Sequence, residues 1–233
     1  MRDGRVSPNM KKRSHIHTEA DFDAALAALG KIDPRFVALV AAAGRPLLRR
    51  RTEGFAGLAA IVVGQQLSVA SANAIWGRLA AAFDPFEPSA ILRARPARLA
   101  RFGLSAPKIR ALKAIARAVV KGDLALAALA ELTADEAHAM LTAVHGIGPW
   151  TADTYLLSCL GHADVWPAGD LALQEAARVA FALPARPTAK EMQGLAEAWR
   201  PWRAVAARVL WTYYRAAAEA AKAAAKKPRA ARS

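Results

Sequence analysis

Two short strings in this 233-residue chain combine residue types that could do chemistry. The first is Val144-His145-Gly146-Ile147-Gly148-Pro149, set between stretches that read as helix. Two glycines around one aliphatic residue suit a tight turn between helices, because glycine takes φ > 0 and lets another backbone come close. Ile147 would plug the gap between the helices. Pro149 suits the first helical position, where no N–H is needed. The N–H groups of that first turn would then face outward as a site for one phosphate oxygen. A bare Gly-x-Gly is more often an ordinary helix corner, since glycine commonly ends helices. The longer string Leu141 to Ala152, LTAVHGIGPWTA, is much more specific. The second string is Pro167-Ala168-Gly169-Asp170, which opens the apolar run LALQEAARVA. An aspartate in that place is ordinarily an N-cap. Its two oxygens can act separately, one capping the helix while the other faces a ligand.

Helices must position both strings. Ala, Leu and Arg are frequent, and no stretch alternates for long with period two. Helices are expected near 18–29, 34–43, 54–65, 68–83, 95–101, 107–121, 133–143, 149–160, 170–182, 188–199 and 201–224. Asp33-Pro34 and Ser68 are start signals, and Thr133 with Glu136 and Thr188 with Glu191 have capping-box spacing. Glycines and prolines, from Gly30 and Gly44 to Pro184 and Pro187, mark the ends. No repeat period is present. The expectation is an all-α domain over 18–221, with a basic arm at 1–17 and a basic tail at 222–233.

The formal net charge is +14. Arg2, Arg5, Lys11, Lys12 and Arg13 sit at one end, and Lys222, Lys226, Lys227, Arg229 and Arg232 at the other. Such a balance suggests a polyanion partner, nucleic acid being the commonest, against the alternative of a solubilising excess. The longest apolar stretches, 36–43 and 58–63, are too short to span a bilayer. The charged start lacks the apolar region of a signal peptide. Cys159 is the only cysteine, which rules out internal disulfides, Cys-based zinc sites and a cysteine-ligated iron–sulfur cluster. A cytoplasmic location fits best. His15 and His17 give only weak metal-ligand spacing.

LTAVHGIGPWTA resembles the helix-hairpin-helix motif of the base-excision glycosylase superfamily. Within it, the chain is similar to the DNA-3-methyladenine glycosylase II family, in the compact form without an N-terminal β-domain. GQQLSVASA, Gly64 to Ala72, resembles the family's DNA-wedge loop and following helix. PAGDLALQ, Pro167 to Gln174, resembles its catalytic-aspartate segment, and PWRAVAARVLW, Pro201 to Trp211, its closing helix. The likeness runs from about residue 20 to 215.

The resemblance implies two packed helical lobes with the active site in the cleft between them. It implies that Asp170 is the catalytic carboxylate and that Trp150 and Trp211 form the base pocket. His145, Gly146, Ile147 and Gly148 would be the DNA-binding hairpin, and Gln66 or Leu67 the wedge. The backbone carbonyls of Thr142, Val144 and Ile147 would hold Na+ or K+ when DNA is bound; no other cofactor is implied. The partner would be double-stranded DNA containing damaged bases, and the protein a monomer.

The chemistry suits these residue types. Breaking an N-glycosidic bond builds positive charge on the sugar, and a carboxylate stabilises it in a water-poor site. An alkylated purine is already a good leaving group, so a strong general acid is less necessary. An indole face attracts such a cationic base. Superfamily members that also cut the strand carry a lysine where this chain has Trp150. No lysine occurs between Lys121 and Lys190, so a monofunctional enzyme is expected. Two family aromatics are missing: Thr154 stands one turn after Trp150, and Leu171 follows Asp170. Tyr155 and Trp166 are left as candidates to compensate. The alternatives are a sister glycosylase for uracil, hypoxanthine or an oxidised purine, and a non-catalytic helix-hairpin-helix module, which would need the hairpin but neither Asp170 nor the paired tryptophans.

Overall fold

The structure, a computed structural model, describes residues 15–226. The helices are α1 (Glu19–Ile32), α2 (Arg35–Ala43), α3 (Gly54–Gly64), α4 (Val69–Ala81), α5 (Pro88–Arg93), α6 (Pro96–Ala100) and α7 (Ala106–Lys121), followed by α8 (Ala134–Thr142), α9 (Pro149–Tyr155), α10 (Leu171–Ala180), α11 (Ala189–Ala196) and α12 (Arg203–Lys226). Single 3-10 turns lie at Leu126–Glu131 and Glu197–Trp199, and a π turn at Leu156–Leu160. No β-sheet occurs among the described residues.

The chain divides into two compact units. One is formed by the two ends of the chain, up to Leu48 and from Ala163; the other is the continuous segment Arg49–His162. Two units were expected within 18–221, and one of them is discontinuous in sequence. Most of the basic arm, residues 1–14, lies outside the described residues, as do 227–233 of the tail. The first part of the tail is not a separate segment, because α12 runs on to Lys226.

The capping signals hold. Thr133 and Glu136, and Thr188 and Glu191, form reciprocal capping boxes, and Ser68 accepts from the Ser71 amide. A third box, Thr18 with Asp21, starts α1, and the Thr18 hydroxyl and amide hold the Asp21 carboxyl below its ordinary range. Gly30 does not end α1; it lies inside it. The sequence reading missed α5, a single short turn-and-a-half with Pro88 at its start, and the 3-10 turn at 126–131. The expected helix 149–160 changes pitch at Tyr155. Ser158 Oγ donates to the Thr154 carbonyl there, and the widened turn ends at left-handed Gly161.

In the unit made from both ends, α12 is the central helix and packs against α1, α2 and α10. An aromatic cluster fills its core: Phe36 meets Trp199 edge-on at 5.0 Å, and Trp166 meets Trp199 at 5.4 Å. Trp199 Nε1 donates to Asp33 Oδ2 at 3.0 Å, and Arg35 grips the same carboxylate. That guanidinium, first of all, holds the Asp33 carboxyl below its usual range. In the continuous unit, α3 is apolar on every side, as a helix surrounded by others must be: Phe55, Leu58, Ala59, Ile61, Val62 and Val63 are all buried. Around it pack α4, α7 and α9.

Candidate active site

Asp170 is placed by its own segment. Its amide donates to the Pro167 carbonyl at 2.9 Å, and the buried Gln174 amide donates to the Ala168 carbonyl at 2.9 Å. Upstream, Asp164 receives Arg203 Nε at 2.7 Å and Arg200 Nη1 at 2.6 Å, which anchors the segment to the head of α12. Asp170 is the N-cap of α10: its Oδ1 accepts from the Leu173 amide at 2.7 Å. The same Oδ1 accepts from Trp211 Nε1 at 3.2 Å. The aspartate and the tryptophan that the sequence singled out are therefore in direct contact, through the indole N–H and not only a ring face. Leu171, beside them, is 63% exposed, so it belongs to the surface around the carboxylate and not to the core.

In the continuous unit the hairpin closes by overlapping turns, Val144 N to Leu141 O at 3.1 Å and Ile147 N to Val144 O at 3.0 Å. Ile147 is buried and plugs the corner, while His145, Gly148 and Pro149 are exposed. The two glycines differ. Gly146 has φ +92, and a Cβ there would stand 2.5 Å from the Cβ of Ala111 on α7. Both the turn and the close approach demand glycine. A Cβ on Gly148 would meet nothing within 4 Å, so the fold itself leaves that position open. Pro149 occupies the first turn of α9, as its sequence position predicts. Behind the hairpin, His138 Nε2 lies 3.5 Å from Asp153 Oδ1, and burial pulls the imidazole below its ordinary pKa.

A cavity of about 380 Å³ opens in this unit, in the range of small-ligand sites. Trp150, Thr154, Leu67, Asn73, Trp76 and Arg51 stand in its wall. Trp150 and Leu67 are thus brought to one space. Trp76, Asn73 and Arg51 are the residues sequence reasoning missed; a lone tryptophan on an amphipathic helix carries no signal that separates a cavity wall from a core. Gln66 is exposed at the tip of the loop between α3 and α4, with φ +55, a conformation uncommon for a residue with a side chain.

Tyr155 and Trp166 do not replace the missing aromatics. Both are buried core residues: Tyr155 accepts the Gly54 amide at 3.0 Å, and Trp166 donates to the Met192 carbonyl at 3.0 Å. Burial pushes the Cys159 thiol up to about 11, which makes it a packing residue and not a nucleophile. No group of three His, Cys, Asp or Glu able to hold a metal occurs among the described residues. Nor, among them, is any helix long and apolar enough to cross a membrane.

An all-helical chain with a capped carboxylate and a glycine hairpin of this geometry falls in the helix-hairpin-helix class of DNA repair folds. The profile of the HhH-GPD superfamily of base excision DNA repair proteins matches residues 59–201, and the chain belongs to that superfamily. It is 34% identical over 165 residues to DNA-3-methyladenine glycosylase 1 of Schizosaccharomyces pombe, covering 69% of this chain and 72% of that one. It is 28% identical over 192 residues to the DNA-3-methyladenine glycosylase of Bacillus subtilis, covering 71% and 63%. Two Mycobacterium tuberculosis proteins carrying the AlkA name are 33% identical over 208 residues; the chain spans 41% of their length. Among solved structures, the S. pombe 3-methyladenine DNA glycosylase Mag1 in complex with abasic DNA superposes with a TM-score of 0.73, at 31% identity, over 81% of this chain and 95% of that one.

Proposed function

We propose that this protein is a monofunctional DNA glycosylase that removes alkylated purines, 3-methyladenine and 7-methylguanine, from double-stranded DNA. The observation that carries the reading is Asp170, fixed at the head of α10 with the Trp211 indole N–H on its Oδ1. The names of the relatives support the substrate class.

The target nucleotide leaves the duplex to be reached. Gly148 and the first turn of α9 that Pro149 opens take a backbone phosphate through main-chain N–H groups, of which Pro149 itself supplies none, without reading sequence. Gln66 is the wedge: its exposed left-handed position sends it outward, whereas Leu67 lines the cavity. Trp150 offers an indole face to the cationic purine. The C1′–N bond breaks, and its electron pair leaves with the base and neutralises the base's charge. Asp170 stabilises the positive sugar and takes a proton from the water that adds to C1′. Trp150 is not an amine, so no Schiff base forms and the strand stays intact.

The carbonyls of Thr142, Val144 and Ile147 fit a hard monovalent cation in donor type, and the Val144 oxygen keeps a second lone pair beside its bond to Ile147. Such an ion would neutralise a nearby phosphate. The protein acts as a monomer, in the cytoplasm with the DNA.

The test is incubation with matched duplexes bearing 3-methyladenine, 7-methylguanine, uracil or 8-oxoguanine, with and without alkali. The two alkylated bases are expected to leave fastest, with breaks only after alkali. Asp170→Asn should lose release and keep DNA binding. Uracil or 8-oxoguanine as best substrate would overturn the substrate assignment, and an active Asn variant the catalytic one.

A further inference from the structure

The wedge loop is tied to the hairpin helix by one hydrogen bond between side chains. Gln65 Nε2 donates to Thr151 Oγ1 at 2.8 Å. Thr151 is only 2% exposed, and it directly follows Trp150 in the first turn of α9. Gln65 directly precedes Gln66 and is half-buried. The same end of the turn is held a second time. Lys108 Nζ donates to the Val63 carbonyl at 2.8 Å, and the ammonium is drawn far enough from water that burial lowers its pKa. Leu67 N closes the turn onto Gly64 O at 3.3 Å, and Ser68 caps α4 just beyond. The loop is therefore held on both flanks while its tip, Gln66, keeps φ +55.

A residue stays in that backbone region only when its surroundings over-determine it. The Gln65–Thr151 bond does so from the element that, on the function proposed above, seats the phosphate. We infer that Gln65 and Thr151 are positioning residues: they fix the distance between the phosphate-binding turn and the wedge tip, so that seating the backbone places Gln66 at the base stack. This inference rests on the wedge and hairpin roles proposed above. Thr151 hydroxyl is needed as acceptor, and Gln65 amide as donor; neither is required to touch DNA.

The full chain can be tested with a duplex holding a stable abasic analogue and 2-aminopurine next to it, whose fluorescence rises on unstacking. Thr151→Val keeps the shape and removes the acceptor. It is expected to lower the unstacking equilibrium and the single-turnover release of 7-methylguanine by about tenfold, the usual weight of one buried hydrogen bond. Affinity for undamaged duplex should stay within about twofold, since phosphate contacts dominate it. Thr151→Ser should restore both signals. Gln65→Ala should match Thr151→Val, and the double variant should be no worse than either single, because the two act as one unit. Wild-type unstacking in Thr151→Val, or additive losses in the double variant, would overturn the inference. A loss in Thr151→Val that Thr151→Ser fails to repair would do the same, as mere packing. The fluorescence signal needs no base release. A wild-type protein that unstacks DNA but frees no alkylated purine would sink the proposed reaction and leave the positioning role standing.

Discussion

Trp211→Phe separates two roles that one side chain could play. Trp211 Nε1 donates to Asp170 Oδ1 at 3.2 Å, and on the proposed function the ring would also offer a face to a cationic base. Phenylalanine keeps an aromatic face and deletes the donor. A hydrogen bond to a charged acceptor is worth about 1.5–3 kcal/mol. At 3.2 Å this one lies at the long end for N–H···O, so the lower bound of about 1.5 kcal/mol applies. The Leu173 amide still holds the same oxygen at 2.7 Å, so the carboxylate is loosened and not released. If that energy is spent on aim in the transition state, the single-turnover rate on 7-methylguanine duplex falls by about tenfold. Trp211→Leu should fall further, by another fivefold or so, because it also forfeits about 1 kcal/mol of cation–π attraction. Binding to an abasic-analogue duplex, measured alongside, should change little in the Phe variant. A Phe variant as fast as wild type, with a Leu variant that is slow, would refute the orienting role and leave Trp211 as a stacking face alone.

The two hairpin glycines should part company under mutation. Gly146→Ala meets both φ +92 and the wall of Ala111, and should lower stability by on the order of 1–3 kcal/mol in thermal unfolding; Gly148→Ala meets open space and should leave the melting temperature nearly unchanged while weakening binding to undamaged duplex. Borohydride should trap no covalent adduct on alkylated duplex, and an efficient adduct would contradict the place of Trp150. Burial lowers the His138 pKa below its ordinary 6.5, so the neutral ring is the folded form; stability from this group is complete above about 6.5 and falls as pH drops below it. His138→Gln should flatten the decline in melting temperature between pH 7 and 5, and an unchanged slope would remove His138 from that decline.

What the sequence made legible was local. Capping boxes at Thr133 and Thr188 and the turn at Gly146 are written in residues a few positions apart, and short-range sterics and hydrogen bonding decide them. Pro149 at the first turn of α9 is equally local. Site residues came from longer strings, and the contact between Asp170 and Trp211 joins positions far apart in the chain, which no spacing rule could place at 3.2 Å. The same holds for Gln65 and Thr151. The change of pitch at Tyr155 likewise leaves no mark in the periodicity of the sequence. Trp76 was passed over because burial, not residue type, decides whether a tryptophan faces a cavity. Tyr155 and Trp166 failed as pocket candidates for the same reason, in the opposite direction.

A carboxylate that is to meet a developing cation must be ionised, still and aimed. Two other buried or half-buried aspartates are held by guanidinium groups: Asp33 by Arg35, and Asp164 by Arg200 and Arg203. Oδ1 of Asp170 takes a peptide N–H and an indole N–H, two donors that fix the direction of the carboxylate. The N-cap is therefore not a bland alternative to the catalytic role. It is the physical means by which a single carboxylate can be fixed in position. Asparagine caps about as well as aspartate, so an Asn substitution at Asp170 removes the charge and little else, and that makes it the cleaner probe than alanine, which would cost about 1 kcal/mol of capping as well.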